Sequence, residues 1–229
     1  MVLKCFSHLY SEDQRTSVTM RVMGVFLGAS LGLSVSCITS AFHALSTSDA
    51  GSKMLYDFRT ISSLDNWRES SDTVRLPGKS KGAFVLQKTQ LFQRAVMFSL
   101  LNPQPNGAAF VGFSTNDDWD LSQYSGLEMK VRGQGDNYVY KVNLRHKGQG
   151  EGSVSYEAFY EIPKNEWTSV TLQFSVFKPY YRGAEVPDAE PLDPSDITSV
   201  TLQIVGGVYS DFKQSGASSL EIDYIQAVE

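Results

Sequence analysis

The chain has 229 residues, 41% of them hydrophobic and 20% charged, and a formal net charge of −5. That is enough apolar material for a core and too little charge for a disordered, solvating chain, and the negative sign speaks against tracking a phosphate backbone, so no nucleic-acid partner is expected. The only cysteines, Cys5 and Cys37, precede the region that patterns as folded, which excludes a disulfide-stapled scaffold and a structural zinc site there.

Residues 1–52 stand apart. Lys4, Arg15 and Arg21 balance Glu12, Asp13 and Asp49, so the whole net charge belongs to residues 53–229. No charged residue occurs between Arg21 and Asp49. The positive residue, the apolar run from Val22 to Ile38 and the small residues Thr39-Ser40-Ala41 make a signal-peptide pattern over about residues 20–41. An uncleaved signal anchor and a mitochondrial presequence are the competing readings; Gly and Ser weaken the first as a span, and Glu12 and Asp13 weaken the second. The expected location is the secretory pathway, with the mitochondrion as the alternative. None of the seven Asn in 53–229 lies in an Asn-x-Ser/Thr sequon, which weakens secretion slightly.

From residue 53 onward the chain reads as one all-β domain. Met54–Arg59 is the first strand. Ala83–Gln87, Ala95–Leu101 and Ala108–Phe113 are continuously apolar runs of interior strands. Leu127, Met129 and Val131 alternate with Glu128, Lys130 and Arg132. Tyr138, Tyr140, Val142 and Leu144 alternate with Val139, Lys141, Asn143 and Arg145. The sets Val154/Tyr156/Ala158/Tyr160, Val170/Leu172/Phe174, Val200/Leu202/Ile204 and Leu220/Ile222/Tyr224 continue the period of two, which buries one face of a strand and wets the other. Turn formers separate these runs, among them Pro77-Gly78, Asn106-Gly107, Gly133–Asn137 and Gly148–Gly152. A single helical turn is expected near Asp120–Tyr124 or Pro194–Ile197. Residues 178–196, with four prolines, read as one long irregular stretch. Together these predict a jelly-roll β-sandwich closed by pairing of the first run with Ser219–Val228.

The residues offer little for catalysis, and no cofactor is called for. His146 is the only histidine after residue 53 and no cysteine is available, so no metal cluster or nucleophile–histidine pair forms readily; His146 itself is expected to be a solvated strand-end residue. The Gly-rich segments lack the Lys-Ser/Thr and the following helix of a phosphate loop. Asp118 and Asp120, in the run Asn116–Asp120, are weak calcium candidates, as are Asp57 and Asp223 on the terminal strands. Glu128, Glu157, Glu161 and Glu221 fit polar strand faces better than a glycosidase pair. Trp67 and Trp167 read as core, whereas Trp119, Tyr124, Tyr180, Tyr181 and Arg182 are candidate ligand or partner contacts.

The order of short words along the chain is similar to that of the complex I intermediate-associated protein 30 family. It runs from Leu55-Tyr-Asp-Phe58 through Trp67 and Ser71-Asp72-Thr-Val74, then Asn106–Phe110, Trp119–Leu127, Val131–Gly135, Tyr138–Leu144, Trp167–Val170, Phe174–Pro179 with Arg182-Gly183, to Leu220–Ile225. The family's Gly-Gly-x-Ser element is here Pro77-Gly78-Lys79-Ser80, with proline in place of one glycine. The resemblance implies a galactose-binding-like sandwich and a non-enzymatic assembly or chaperone-like role, with complex I assembly intermediates as partners if the protein is mitochondrial. A secreted module binding a carbohydrate or other extracellular ligand is the alternative. Ser71, Asp72, Gly78 and Ser80 are expected to shape a loop, with Gly78 supplying φ > 0 and the side chains tying backbone N–H groups.

Overall fold

A computed structural model describes residues 51–229; the expected signal segment lies outside the described residues. The strands are β1 (Ser52–Asp57), β2 (Arg68–Ser71), β3 (Lys81–Lys88), β4 (Gln93–Leu101), β5 (Phe110–Trp119), β6 (Gly126–Gly135), β7 (Val139–His146), β8 (Ser155–Glu161), β9 (Trp167–Gln173), β10 (Lys178–Tyr181), β11 (Ala184–Glu185), β12 (Ile197–Val205) and β13 (Gly216–Val228). They form two sheets. Sheet one runs β3-β4-β13-β6-β9, with β1 also on β13; sheet two runs β11-β10-β8-β7-β12-β5-β2. The expected closure is present: β1 pairs antiparallel with β13, from Ser52 opposite Val228 to Asp57 opposite Tyr224.

Period-two patterning decides what lies between the sheets. Tyr140, Val142 and Leu144 of β7, Val200, Leu202 and Ile204 of β12, Met129 and Val131 of β6, and Leu220 and Ile222 of β13 are all buried. Each such side chain contributes about 1.5–3 kcal/mol on leaving water. An aromatic cluster fills one region of the core. Trp67 packs edge-on to Tyr56 at 5.1 Å and to Phe84 at 5.2 Å, and Phe84 stacks on Phe113 at 5.3 Å.

Four local expectations need correction. His146 is fully buried. It shares parity with Tyr140, Val142 and Leu144, so the strand turns it inward. Its Nδ1 accepts the Asp193 N–H at 2.8 Å, and its Nε2 lies 3.2 Å from the Tyr156 hydroxyl, which donates to the Glu190 carbonyl at 2.8 Å. The neutral ring therefore carries its proton on Nε2.

The stretch 178–196 is partly ordered as well. β10 and β11 form a hairpin, with Tyr181 opposite Ala184. Its two-residue turn, Arg182-Gly183, has φ of 52° and 84°, the double left-handed geometry that suits the twist of a tight hairpin. A 3₁₀ turn follows at Pro194–Asp196, capped by Asp193, whose carboxylate accepts from the Ser195 N–H at 3.1 Å. At Asp120–Tyr124 there is a plain turn, not a helix.

Finally, Gly133 lies inside β6, so the turn there begins only after Gly135.

The loop between β2 and β3 is built as its residues suggest, for a different reason at the glycine. Asp72 is buried. It accepts from the Ser80 N–H at 2.8 Å and the Ser80 hydroxyl at 2.6 Å, and the Ser80 oxygen accepts from Asn102 N–H at 3.0 Å. The Ser71 and Thr73 hydroxyls share a bond of 2.7 Å. Gly78 is not in the left-handed region. A Cβ there would lie 2.0 Å from the Asp72 carbonyl oxygen, so the residue is needed for close approach of two backbones.

Candidate functional site

The outward face of sheet two carries a groove of about 360 Å³. Its floor follows from strand register. In one cross-strand row Arg145, Ser199 and Asn116 lie side by side, and beyond the end of the β7–β8 ladder Tyr180 lies next to Ser155. The next row holds Lys178, Glu157, Asn143, Thr201, Ser114 and Arg68. The third holds Phe159, Lys141, Gln203, Gly112 and Ser70. Side chains in such rows are near neighbours, so residues far apart in sequence form one polar surface. Lys141, Asn143, Glu157, Thr201 and Gln203 are buried although they point away from the core, because loops rise around them. The walls include Glu151–Ser153 from the β7–β8 loop, the Tyr181–Gly183 turn and Val208–Ser210 from the β12–β13 loop. A Cβ on Gly183 would sit 3.5 Å from the Tyr209 ring, so these last two walls touch. Lys213 Nζ braces the second by donating to the Ser210 carbonyl at 2.7 Å.

The floor is electrostatically uneven. Lys141 and Glu157 form a buried ion pair, and Ser155 Oγ donates to the other Glu157 oxygen at 3.0 Å. Burial pushes the Lys141 ammonium below its usual range, against the attraction of Glu157. Burial also pushes Arg145 down, opposed by Glu151 and Glu157. Arg145 has no carboxylate within ion-pair distance among the described residues, and its Nε is buried without a hydrogen-bond partner, as is the Asn143 Oδ1.

The sequence-predicted contacts divide. Tyr181 and Arg182 rim the groove. Tyr180 stands just outside, its ring edge-on to Phe159 at 6.0 Å. Trp119 ends β5, half-buried against the core, with Lys53 Nζ 5.0 Å from its ring centre. Tyr124 also packs on the core, and neither lines the groove. Asp72 borders the groove while serving its own loop. Among the described residues no three acidic, His or Cys side chains converge as a metal site. Asp57 is taken up by Arg59 at 2.7 Å, and Asp223 faces Arg94 at 3.9 Å. Asp120 caps the next turn through the Ser122 N–H at 2.9 Å, and Asp118 is exposed.

The floor residues Lys141, Asn143, Arg145 and Gln203 are not among the site candidates the sequence offers, and Glu157 reads there only as a polar strand-face residue. The available signal was the row of cationic and amide side chains, rather than Ser and Thr, on the wetted parity of β7.

A family model for Complex I intermediate-associated protein 30 (CIA30) matches residues 56–222. The chain belongs to the CIA30 family. Within that match lie the whole groove and every strand except most of β1 and the end of β13. A Schizosaccharomyces pombe protein, Uncharacterized protein C9E9.15, is 33% identical over 132 residues, 53% of this chain; the chain spans 58% of that protein's length. Among solved structures, the family 11 carbohydrate-binding module from Clostridium thermocellum, in complex with a β-1,3-1,4-mixed-linked tetrasaccharide, has a TM-score of 0.58 at 17% identity, covering 78% of this chain and 95% of the module. The agarase AgWH50C matches at a TM-score of 0.50 and 12% identity, over 78% of this chain and 25% of the enzyme. The CIA30 domain thus has the two-sheet architecture of a carbohydrate-binding module.

Proposed function

We propose that this CIA30 domain is a non-enzymatic binding module and that the groove on sheet two takes a saccharide. The observation that carries this is the polar floor itself. Amide, hydroxyl and charged groups converge there beside the rings of Phe159, Tyr181 and Tyr209, which is the mixture a sugar needs: hydrogen bonds to its hydroxyls and apolar faces for its C–H surface. The likeness to a carbohydrate-binding module supports the architecture, and the groove's residues are this chain's own. No acid pair in the groove is free for hydrolysis, since Glu157 is held by Lys141 and Ser155. The test is titration calorimetry of the full chain against neutral oligosaccharides, beginning with a mixed-linked glucan tetrasaccharide, followed by a glycan array. Binding that is lost in Asn143→Ala/Gln203→Ala is expected; absence of binding to any glycan on the array refutes the reading.

A second reading, the protein-assembly role, is favoured by a separate surface. On the outer face of sheet one Val85, Phe98 and Leu100 are exposed at 42%, 50% and 51%, and the β3–β4 register puts them on one side of the hairpin. An apolar strip of this kind suits a protein partner; in a mitochondrial setting that partner would be a complex I intermediate. Phe98→Ser/Leu100→Ser should then abolish co-migration with such intermediates on native gels, and unchanged co-migration removes the strip from that role. Sequencing the mature N-terminus of the expressed full chain decides the compartment in which either reading applies.

A further inference from the structure

We propose that the saccharide is acidic: the groove is built to receive a sugar carboxylate on Arg145, with a neighbouring hydroxyl on Asn143. This rests on the saccharide reading and adds the ligand's charge to it. Lys141 and Arg145 both face Glu157, so one carboxylate serves two cations across the floor. Glu157 is committed to Lys141 and Ser155. Glu151, on the exposed rim, attracts Arg145 without reaching ion-pair distance. Arg182, on the groove wall, adds a further positive charge. A partly buried guanidinium without a counter-ion is costly unless something supplies the charge.

Two residues that line the groove carry orphaned atoms. Arg145 Nε lacks an acceptor and Asn143 Oδ1 lacks a donor. The two residues are two apart on one strand face, about 7 Å along β7 at the usual rise per residue. A carboxylate suits Arg because the planar fork binds both oxygens. A hydroxyl within one pyranose ring of that carboxylate would reach Asn143. A uronic acid carries both groups on one ring.

The test is calorimetry of the full chain with uronate trisaccharides, their neutral counterparts of equal length and linkage, and a sulfated oligosaccharide. Uronates should bind at least about tenfold more tightly than the neutral sugars, in line with the strength of hydrogen bonds to charged groups, and the preference should shrink as salt rises. Arg145→Gln should remove the preference, read as the ratio of uronate to neutral-sugar affinity, and leave the melting temperature unchanged or raised, since no protein partner is orphaned. Asn143→Asp should weaken uronate binding more than neutral-sugar binding, because it sets a second carboxylate beside the ligand's own, which keeps the test decisive if Arg145→Gln folds poorly. Equal affinity for uronate and neutral sugars, unaltered in both variants, overturns the inference and leaves the saccharide reading standing. Binding of the sulfated sugar alone overturns the carboxylate assignment. Failure of every sugar overturns both.

Discussion

Glu157→Gln is the sharpest perturbation of the groove floor. Lys141 and Glu157 are 5% and 6% exposed, so the substitution leaves an ammonium out of water with no counter-charge. Breaking a buried pair from one side costs about 3–5 kcal/mol, and for a domain of this size each kcal/mol moves the melting temperature by about 2–4 °C. The expected drop is therefore about 6–20 °C. Replacing both partners, as in Lys141→Met/Glu157→Leu, should instead be neutral or stabilising, because no charge remains to be desolvated. The pH dependence supplies a sign. Burial already holds the Lys141 ammonium below its usual range, so over the window between its folded and unfolded values the unfolded chain binds more protons and stability rises with pH. Loss of Glu157 widens that window downward. The deficit of Glu157→Gln should consequently narrow between pH 7 and about 10, as Lys141 sheds its proton. Urea unfolding followed by tryptophan fluorescence at several pH values measures this. A deficit below about 1 kcal/mol, the range of exposed ion pairs, or one that stays constant over the pH range, would show that water reaches the pair and that the floor is not the low-dielectric surface described here.

Other predictions concern the supports of the fold. Gly78→Ala should lower stability by about 1–3 kcal/mol, typical of a forced backbone shift, since its Cβ would meet the Asp72 carbonyl at 2.0 Å; an unchanged melting temperature contradicts the close approach. Asp72→Ala strands the Ser80 N–H and hydroxyl and should cost about 1–3 kcal/mol by denaturant titration. The Glu221 carboxyl sits below its usual range: burial opposes ionisation, but hydrogen bonds from Arg132 and Arg94 outweigh it. A depressed carboxyl contributes stability that is complete above the unfolded value and lost as pH falls through the folded one, so the stability gap between wild type and Glu221→Gln should close below about pH 4; a gap independent of pH denies Glu221 this role. His146→Leu removes the acceptor of the Asp193 N–H, and hydrogen exchange at that amide should quicken while the β12 amides stay protected.

Alternation made the sandwich legible: one face of β6, β7, β12 and β13 had to be buried, and strands with one greasy face stack as two sheets. The terminal closure was legible for the same reason. Local deviations were harder because each depends on geometry that a run of letters does not encode. Arg182-Gly183 is weaker as a hairpin signal than Asn-Gly, so β10 and β11 looked like loop. His146 looked like a strand end because the glycines that follow suggest solvent, yet parity alone would have turned it inward.

The groove was the least legible feature, and the cause is register. Lys141, Asn143 and Arg145 were visible as the wetted side of β7, and a wetted side is ordinarily just solvated. What converts it into a site is the set of neighbours that pairing supplies: Glu157 and Ser155 from β8, Thr201 and Gln203 from β12, and walls from loops separated by more than fifty residues, such as Ser153 and Tyr209. A shift of one residue in either pairing would turn that strand's polar side chains into the core. Thus the apolar alternation that holds the core also specifies the groove. Val142 opposite Leu202 and Ala158 fixes the register that brings Asn143 beside Thr201 and Glu157. Core substitutions that loosen this pairing should therefore weaken ligand binding without touching a groove residue, whereas substitutions on the outer face of sheet one should leave it intact.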